Sequence, residues 1–412
     1  MTDTPATTIH QFLQSKAEAQ QAFLAELVRI PSDNPPGDCA AHASVTASLL
    51  TALGLTVERH AVPVADCQAH GMQSVTNLIV RRRFGDGPVV ALNAHGDVVP
   101  PGDGWTSDPY GAEIRDGMMY GRGVAVSKSD FATYAFALLA LEQVAPTLKG
   151  TVELHLTYDE EAGGLLGPAW LLSKDLARPD MAIAAGFSYS VVTAHNGCLH
   201  LSVEITGKSA HAADPASGHD SLAAANRVLS ALYAVRETYA AKQSAIDGIG
   251  SPSLVVGLIE GGINTNVVPD KVTFRMDRRL IPEEDAAAAE ADLRNLIAET
   301  VAPLDGISCT VDRILLAEPL RPIDGTEQLA DVFCRHASAV MGTPVTTTGV
   351  PLYADARLYS TAGVPTIMYG TGPRDILDAN AHRADERIRL SDLAKATEVV
   401  ALAIAEILAV SP

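Results

Sequence analysis

Two carboxylates stand side by side at Glu160-Glu161, just after Asp159, where a strand-like run over 151–158 ends. Adjacent carboxylates repel, so one is raised in pKa or a cation is shared. That suits one Glu as general base and the other as a metal ligand. The same trio also reads as a solvated acidic loop before a helix N-terminus, where carboxylates are favoured anyway. A second constellation, His95-Gly96-Asp97, follows the apolar run 89–92. In an open α/β sheet, ligands collect outside the carboxyl ends of strands. A His two residues before an Asp at such an end can ligate a metal while the carboxylate orients the ring. The plainer reading is a His–Asp hydrogen bond at a loop start. The third is Ala381-His382-Arg383-Ala384-Asp385-Glu386, after Gly370-Thr371-Gly372-Pro373. A lone His there reads as structural, and its weight depends on what it joins.

These residues need elements to position them. Ile9, Phe12, Leu13, Phe23, Leu24, Leu27 and Val28 fall at helical spacing and end at Pro31, which predicts a helix. A second helix over 40–53 stops at Gly54. Strand-like runs follow at 56–62, 76–83 and 88–94, then a helix over 131–144 and the strand 151–158. A helix near 165–172 and an apolar run at 181–185 complete the segment. Such alternation predicts an α/β fold with a doubly wound, mostly parallel sheet. After about residue 194 the order becomes strand 199–205, helix 221–235, strands 253–259 and 272–280, helix 283–300 and strand 307–316. This is the β-α-β-β-α-β signature of a ferredoxin-like domain. We therefore expect a domain of residues 194–317 inserted into one formed by 1–193 and 318–412.

Composition narrows the function. Hydrophobic residues are 47% and charged residues 19% of the 412, the balance of a soluble globular enzyme. The net charge of −19 argues against nucleic acid or an anionic membrane as partner, since both reward clustered Lys and Arg. No apolar run approaches the ~20 residues of a membrane span. The first residues, MTDTPATTIHQF, have neither the basic nor the apolar region of a secretory signal. Five scattered cysteines without a CxxC pair argue against a disulfide framework or zinc ribbon, so a cytoplasmic location is expected.

Taken together, the motifs resemble the M20 family of metallopeptidases and amidohydrolases, which includes acetylornithine deacetylase, succinyl-diaminopimelate desuccinylase and aminoacylase-like enzymes. The resemblance runs over nearly the whole chain. It includes His95-Gly96-Asp97-Val98-Val99-Pro100, Trp105-Thr106-Ser107-Asp108-Pro109-Tyr110, Tyr120-Gly121-Arg122-Gly123 and Asp159-Glu160-Glu161. It continues with Gly207-Lys208-Ser209-Ala210-His211, Asn266-Val267-Val268-Pro269, Asp277-Arg278-Arg279 and Gly363-Val364-Pro365. It implies an inserted lid that also dimerises the protein, and a site of two bridged zinc ions. By resemblance His95 serves one metal, Glu161 and His382 the other. Asp97 orients His95, and Glu160 is the general base. His211 donates to the oxyanion, while Asn266 and Arg278 hold a substrate carboxylate. Arg357, in Asp355-Ala356-Arg357, is a candidate carboxylate partner, and Lys128 a candidate for holding negative charge.

Two positions depart from the family. The bridging aspartate is replaced by Val126, within Val124-Ala125-Val126-Ser127-Lys128. The last acidic ligand of the first metal falls at Gly186, and no Asp or Glu lies between Met181 and Val203. His95 alone is far short of the three or four ligands zinc takes. A standard two-metal hydrolase is therefore not expected; the cofactor is one zinc or manganese ion, or none. Three readings stay open. One is a hydrolase cleaving an amide-type C–N bond of a small carboxylate-bearing substrate, with Glu160 as base. The second is a non-catalytic binding homologue, or a metal-independent enzyme moved to another reaction. The third is covalent catalysis by Ser127 with Lys128, or by Cys198. Trp105, Tyr110 and the loop Pro35-Pro36-Gly37 read mostly as structure, and His195, His200 and His219 as non-functional. The expected partners are a small-molecule substrate and a second copy of the chain.

Overall fold

A computed structural model describes residues 4–374 and 377–409 of the chain. Residues 1–3 of the stretch weighed as a leader lie outside the described residues. The chain forms two compact units. One comprises Met1–Thr193, Pro322–Thr348 and Ala354–Pro412; the other comprises Ala194–Arg321 and Gly349–Tyr353.

The first unit is built on a mixed sheet whose strand order is Val57–Ala61, Thr76–Arg83, Thr151–Thr157, Val89–His95, Met181–Ala184, Thr366–Met368, and then the first-unit residues 191–193 and 347–348 of two further strands. The central strands run parallel: Val89–His95 beside Thr151–Thr157 and Met181–Ala184, and Met181–Ala184 beside Thr366–Met368. Val57–Ala61 and Thr76–Arg83 add to it antiparallel. The helix Lys128–Glu142 is buried along almost its whole length. That explains its sequence, since Phe131, Tyr134, Phe136, Leu138 and Leu141 point all round a helix that has no solvent face. It packs against the helices Pro5–Val28 and Leu390–Ile407. The helix expected over 165–172 begins only at Pro168, because Gly163 and Gly164 hold left-handed backbone ahead of it. Among the described residues, no helix is long and apolar enough to cross a membrane.

The second unit carries a four-stranded antiparallel sheet in the order Ser253–Gly261, Lys271–Leu280, Gly197–Thr206, Ser308–Ala317. In Lys271–Leu280 the residues Val272, Phe274, Met276 and Leu280 alternate onto one face. There they form a core with Ala225, Val228 and Leu232 of helix Ser221–Thr238 and with Leu293 and Ile297 of helix Ala286–Val301. Each helix starts on an aspartate cap: Asp220 accepts from the Leu222 and Ala223 amides, and Asp285 from Ala288. The order of elements is the expected ferredoxin-like one. The short strands Ala210–His211 and Val267–Val268, which the sequence reading did not separate, pair with each other.

Candidate active site

His95 ends one central strand, directly opposite Thr157 at the end of its parallel neighbour. The turn Glu160–Ala162 follows at that same carboxyl edge. Sheet register alone therefore joins two motifs that lie 65 residues apart in numbering, His95 and Glu160. The donor atoms of His95, Glu160 and Glu161 all lie within 4.8 Å of one another. His95 Nε2 is 3.9 Å from Glu160 Oε2, and Glu161 Oε1 is 3.5 Å from His382 Nε2.

Asp97 organises this cluster from a fully buried position. Its carboxylate accepts from the Glu160 and Glu161 amides, each at 3.2 Å, and from Asn34 Nδ2 at 3.0 Å. The carboxylate also lies 3.4 Å from His95 Nδ1, while the shorter bond of that nitrogen, 2.9 Å, goes to the Asp97 carbonyl. One side chain thus holds the His ring and both glutamate backbones in register. Ser127 braces the other side, its hydroxyl bonded to the His95 amide and carbonyl at 3.1 and 3.0 Å.

The electrostatics are those of a site crowded with carboxylates. Burial drives the Glu160 carboxyl well above its ordinary range; Glu161 and Asp355 add to this and His95 opposes it. Burial disfavours charge on His95, but Glu160 and Asp97 outweigh it and hold the imidazole well above its usual value. His382 is raised chiefly by Glu161. The surrounding carboxylates favour positive charge at the centre of the site, as a proton on His95 or as a bound cation.

The two departures have different structural characters. Val126 sits in a loop whose Ala125 and Val126 amides donate to Glu386 Oε1 at 2.9 and 3.2 Å. Glu386 Oε2 in turn takes Arg122 Nη1 at 2.6 Å in a fully buried ion pair. At Gly186 a Cβ would lie 2.7 Å from both the Met368 carbonyl carbon and the Tyr369 nitrogen, and 2.9 Å from Met368 Cβ. The backbone of the neighbouring strand has closed over the position, so no side chain fits there as the chain stands.

Other expected residues fall in several places. Lys128 is fully buried with Nζ on the Ile30 carbonyl at 2.9 Å, and burial brings it down to about 7. With Ser127 bonded to His95, the adjacent Ser–Lys pair is committed to backbone groups. Arg278 is buried, bonded to Glu284 Oε1 at 2.6 Å and laid over the Tyr239 ring at 4.1 Å. Arg357 is buried too, donating to the Gly163 carbonyl at 2.6 Å and the Ala354 carbonyl at 3.0 Å. The charged heads expected to hold substrate at these three positions are instead engaged inside the protein, and Arg357 braces the end of the Glu160–Ala162 turn. His211 and Asn266 are exposed on the second unit, on neighbouring segments joined by the Ala212 amide bonding the Asn266 carbonyl at 2.9 Å.

Asp355 escaped the sequence reading, which took from its segment only Arg357. Both its carboxylate oxygens are buried without a hydrogen bond, and burial pushes it up to about 6. It approaches the backbone of Gly164 so closely that a Cβ there would meet Asp355 Oδ1 at 2.2 Å. Its field acts on Glu160. The buried Arg122–Glu386 pair was also missed, although Gly121-Arg122-Gly123 and the acid after His382 were its visible halves.

A histidine and two glutamates gathered at the carboxyl edge of a parallel sheet, over a buried aspartate, are the arrangement of an α/β enzyme site. Residues 91–406 match the model of peptidase family M20/M25/M40, and the chain belongs to that family. It is a hydrolase acting on C–N bonds. It is 28% identical over 383 residues to the succinyl-diaminopimelate desuccinylase of Sphingopyxis alaskensis, covering 90% of this chain and 94% of that one. In structure it is similar to the M20 family metallo-carboxypeptidase Sso-CP2 of Sulfolobus solfataricus, with TM-score 0.77 at 16% identity over 94% and 99% of the two chains. It is also similar to the Bacillus subtilis YXEP protein, a dinuclear metal-binding M20 peptidase, with TM-score 0.68 at 16% identity over 96% and 99%. At such identities the structural likeness speaks for the fold.

Proposed function

We propose that this hydrolase cleaves an amide-type C–N bond in a small carboxylate-bearing substrate, an N-acyl amino acid or similar, at a site reduced to one metal ion. The convergence of His95 with the base Glu160 and the ligand Glu161, and of His382 on Glu161 Oε1 at 3.5 Å, carries this reading. The donor set falls short of the ligands that two ions would need. Glu161 Oε1 is buried without a hydrogen bond and faces His382, as a ligand oxygen awaiting a cation would. A second, bridged ion would meet the aliphatic Val126 and the side-chain-less Gly186 instead of carboxylates.

His95, Glu161 and His382 would hold one zinc or manganese ion, which when bound supplies Lewis-acid polarisation. Glu160 takes a proton from the attacking water and returns it to the leaving amine. Asp97 fixes the Glu160 and Glu161 amides and the His95 ring throughout. His211 is the proposed donor to the oxyanion, and Asn266 the proposed holder of the substrate carboxylate. Residues 194–317 act as lid and dimerisation domain of a cytoplasmic homodimer. The relative named as a succinyl-diaminopimelate desuccinylase supports an N-acyl substrate with carboxylates.

Hydrolysis of N-succinyl and N-acetyl amino acids by the wild-type protein and E160Q tests this. Turnover abolished by E160Q supports the role of Glu160, and full activity in that variant removes it. Val126 and Gly186 favour one second reading, a metal-independent reaction centred on Glu160. Turnover that survives complete metal removal would select it.

A further inference from the structure

In the second unit, Cys198 and His200 lie two residues apart on the strand Gly197–Thr206 and so share a face. Asp277, on the neighbouring strand Lys271–Leu280, stands directly opposite His200 in the register, and Arg279 opposite Cys198. Both strands are interior to the four-stranded sheet. Three donor atoms meet there. Cys198 Sγ is 3.1 Å from His200 Nε2, His200 Nε2 is 2.9 Å from Asp277 Oδ2, and Cys198 Sγ is 3.7 Å from Asp277 Oδ2.

This arrangement differs from a Cys–His–Asp nucleophile. In such a triad the imidazole uses its two nitrogens separately, one toward the nucleophile and the other toward the orienting carboxylate. Here sulfur and carboxylate both address Nε2. A single Nε2 proton can only be shared between them, and the three atoms form a compact triangle. In a tetrahedral zinc site, with Zn–S about 2.3 Å and Zn–N and Zn–O about 2.0–2.2 Å, ligand atoms stand roughly 3.3–3.6 Å apart. Two edges of the triangle would open by roughly 0.4 Å and the third is already in place.

We propose that Cys198, His200 and Asp277 form a metal site of their own for a thiophilic divalent ion, with zinc the best match. Thiolate and carboxylate together balance the ion's charge, and the thiol proton leaves on binding. Arg279 Nε holds the other oxygen, Asp277 Oδ1, at 3.0 Å, which orients the carboxylate and leaves Oδ2 for the ion. The side chains of His200 and Asp277 are about one-third exposed, at 33% and 29%, so water can complete the coordination. A thiolate with an imidazole selects zinc over magnesium or manganese. His200, set aside in the sequence reading, becomes a ligand only once strand register places Asp277 opposite it. The site stands independently of the reading of the active site, which contains no cysteine among its proposed ligands.

Cobalt(II) titration of the full-length, untagged protein, first stripped with a chelator, tests it. A thiolate-to-cobalt absorption band with the intensity of one thiolate-bound cobalt per chain is expected, complete by two cobalt per chain because the proposed active-site ion position also fills. The band should be absent in C198S, need more cobalt in H200Q and D277N, need about tenfold more in R279Q, and be unchanged in E161Q. If C198S does not fold, the H200Q and D277N titrations decide. No band in the wild-type protein at saturating cobalt, a band persisting in C198S, or wild-type titrations in both H200Q and D277N would overturn the proposal.

Discussion

Replacing Gly186 with alanine adds a single carbon where the family resemblance implies a metal-binding carboxylate. That carbon would sit 2.7 Å from the Met368 carbonyl carbon and the Tyr369 nitrogen, against 3.4–4 Å for ordinary contact. The overlap of about 0.7 Å falls on backbone, where no side chain can swing away. The backbone it meets is tied down: Thr366–Met368 pairs with Met181–Ala184 inside the sheet, and the Tyr369 amide bonds the Ala184 carbonyl at 3.0 Å. Forcing an extra group into a packed interior costs typically ~1–3 kcal/mol, and a clash with fixed backbone belongs at the upper end. At roughly 2–4 °C per kcal/mol for domains of moderate size, G186A should unfold some 5–10 °C below the wild-type protein in a thermal melt. G186D meets the same overlap and also buries a charge, so it should lose stability without gaining an ion. A G186A melt coincident with wild type, or G186D holding an extra ion at wild-type stability, would refute the claim that the backbone has closed over this position.

Other substitutions separate chemistry from support. E160Q should lower N-acyl hydrolysis by ~10²–10⁴-fold and leave the melting temperature in place, read by steady-state kinetics beside a melt. R357K should reduce kcat more than it raises KM, because a lysine cannot span both the Gly163 and Ala354 carbonyls that the guanidinium joins; an unchanged kcat would show that the turn needs no such brace. In the second unit, burial pushes Glu290 upward but Arg313 and Arg294 outweigh it and hold its carboxyl below the ordinary 4.5. The stabilisation from that depressed value is complete above pH 4.5 and fades as the pH falls through the lower folded value. Melts from neutral pH into acid should therefore show E290Q less stable at neutral pH, with a shallower acid loss than wild type.

The parts of the site that strand ends create were legible in the sequence. His95, Asp97, Glu160 and Glu161 follow apolar runs, and a parallel sheet brings such ends to one edge. Strand direction was less visible. Thr76–Arg83 reads like its parallel neighbours but runs antiparallel to Thr151–Thr157, because short buried strands carry no signal of polarity. Pairings between distant segments were hidden altogether. Glu386 reaches the amides of Ala125 and Val126 across 261 and 260 residues, and no local pattern marks that. Arg278 and Arg357 were expected to hold substrate from the family resemblance of their segments, which shows no partner; Glu284 and the Gly163 carbonyl are the partners the fold supplies. The closing of the Met368 backbone over Gly186 is likewise a property of packing, which sequence records only as a missing carboxylate.

The one-ion site is tested most directly by metal content. Mass spectrometry on untagged protein carrying C198S removes any contribution from the cysteine cluster of the second unit. One zinc or manganese per chain is expected, lost in the further variants E161Q and H382N along with hydrolysis of N-acyl substrates. Two ions per C198S chain, or undiminished hydrolysis with none, would contradict a site in which His95, Glu161 and His382 hold a single ion.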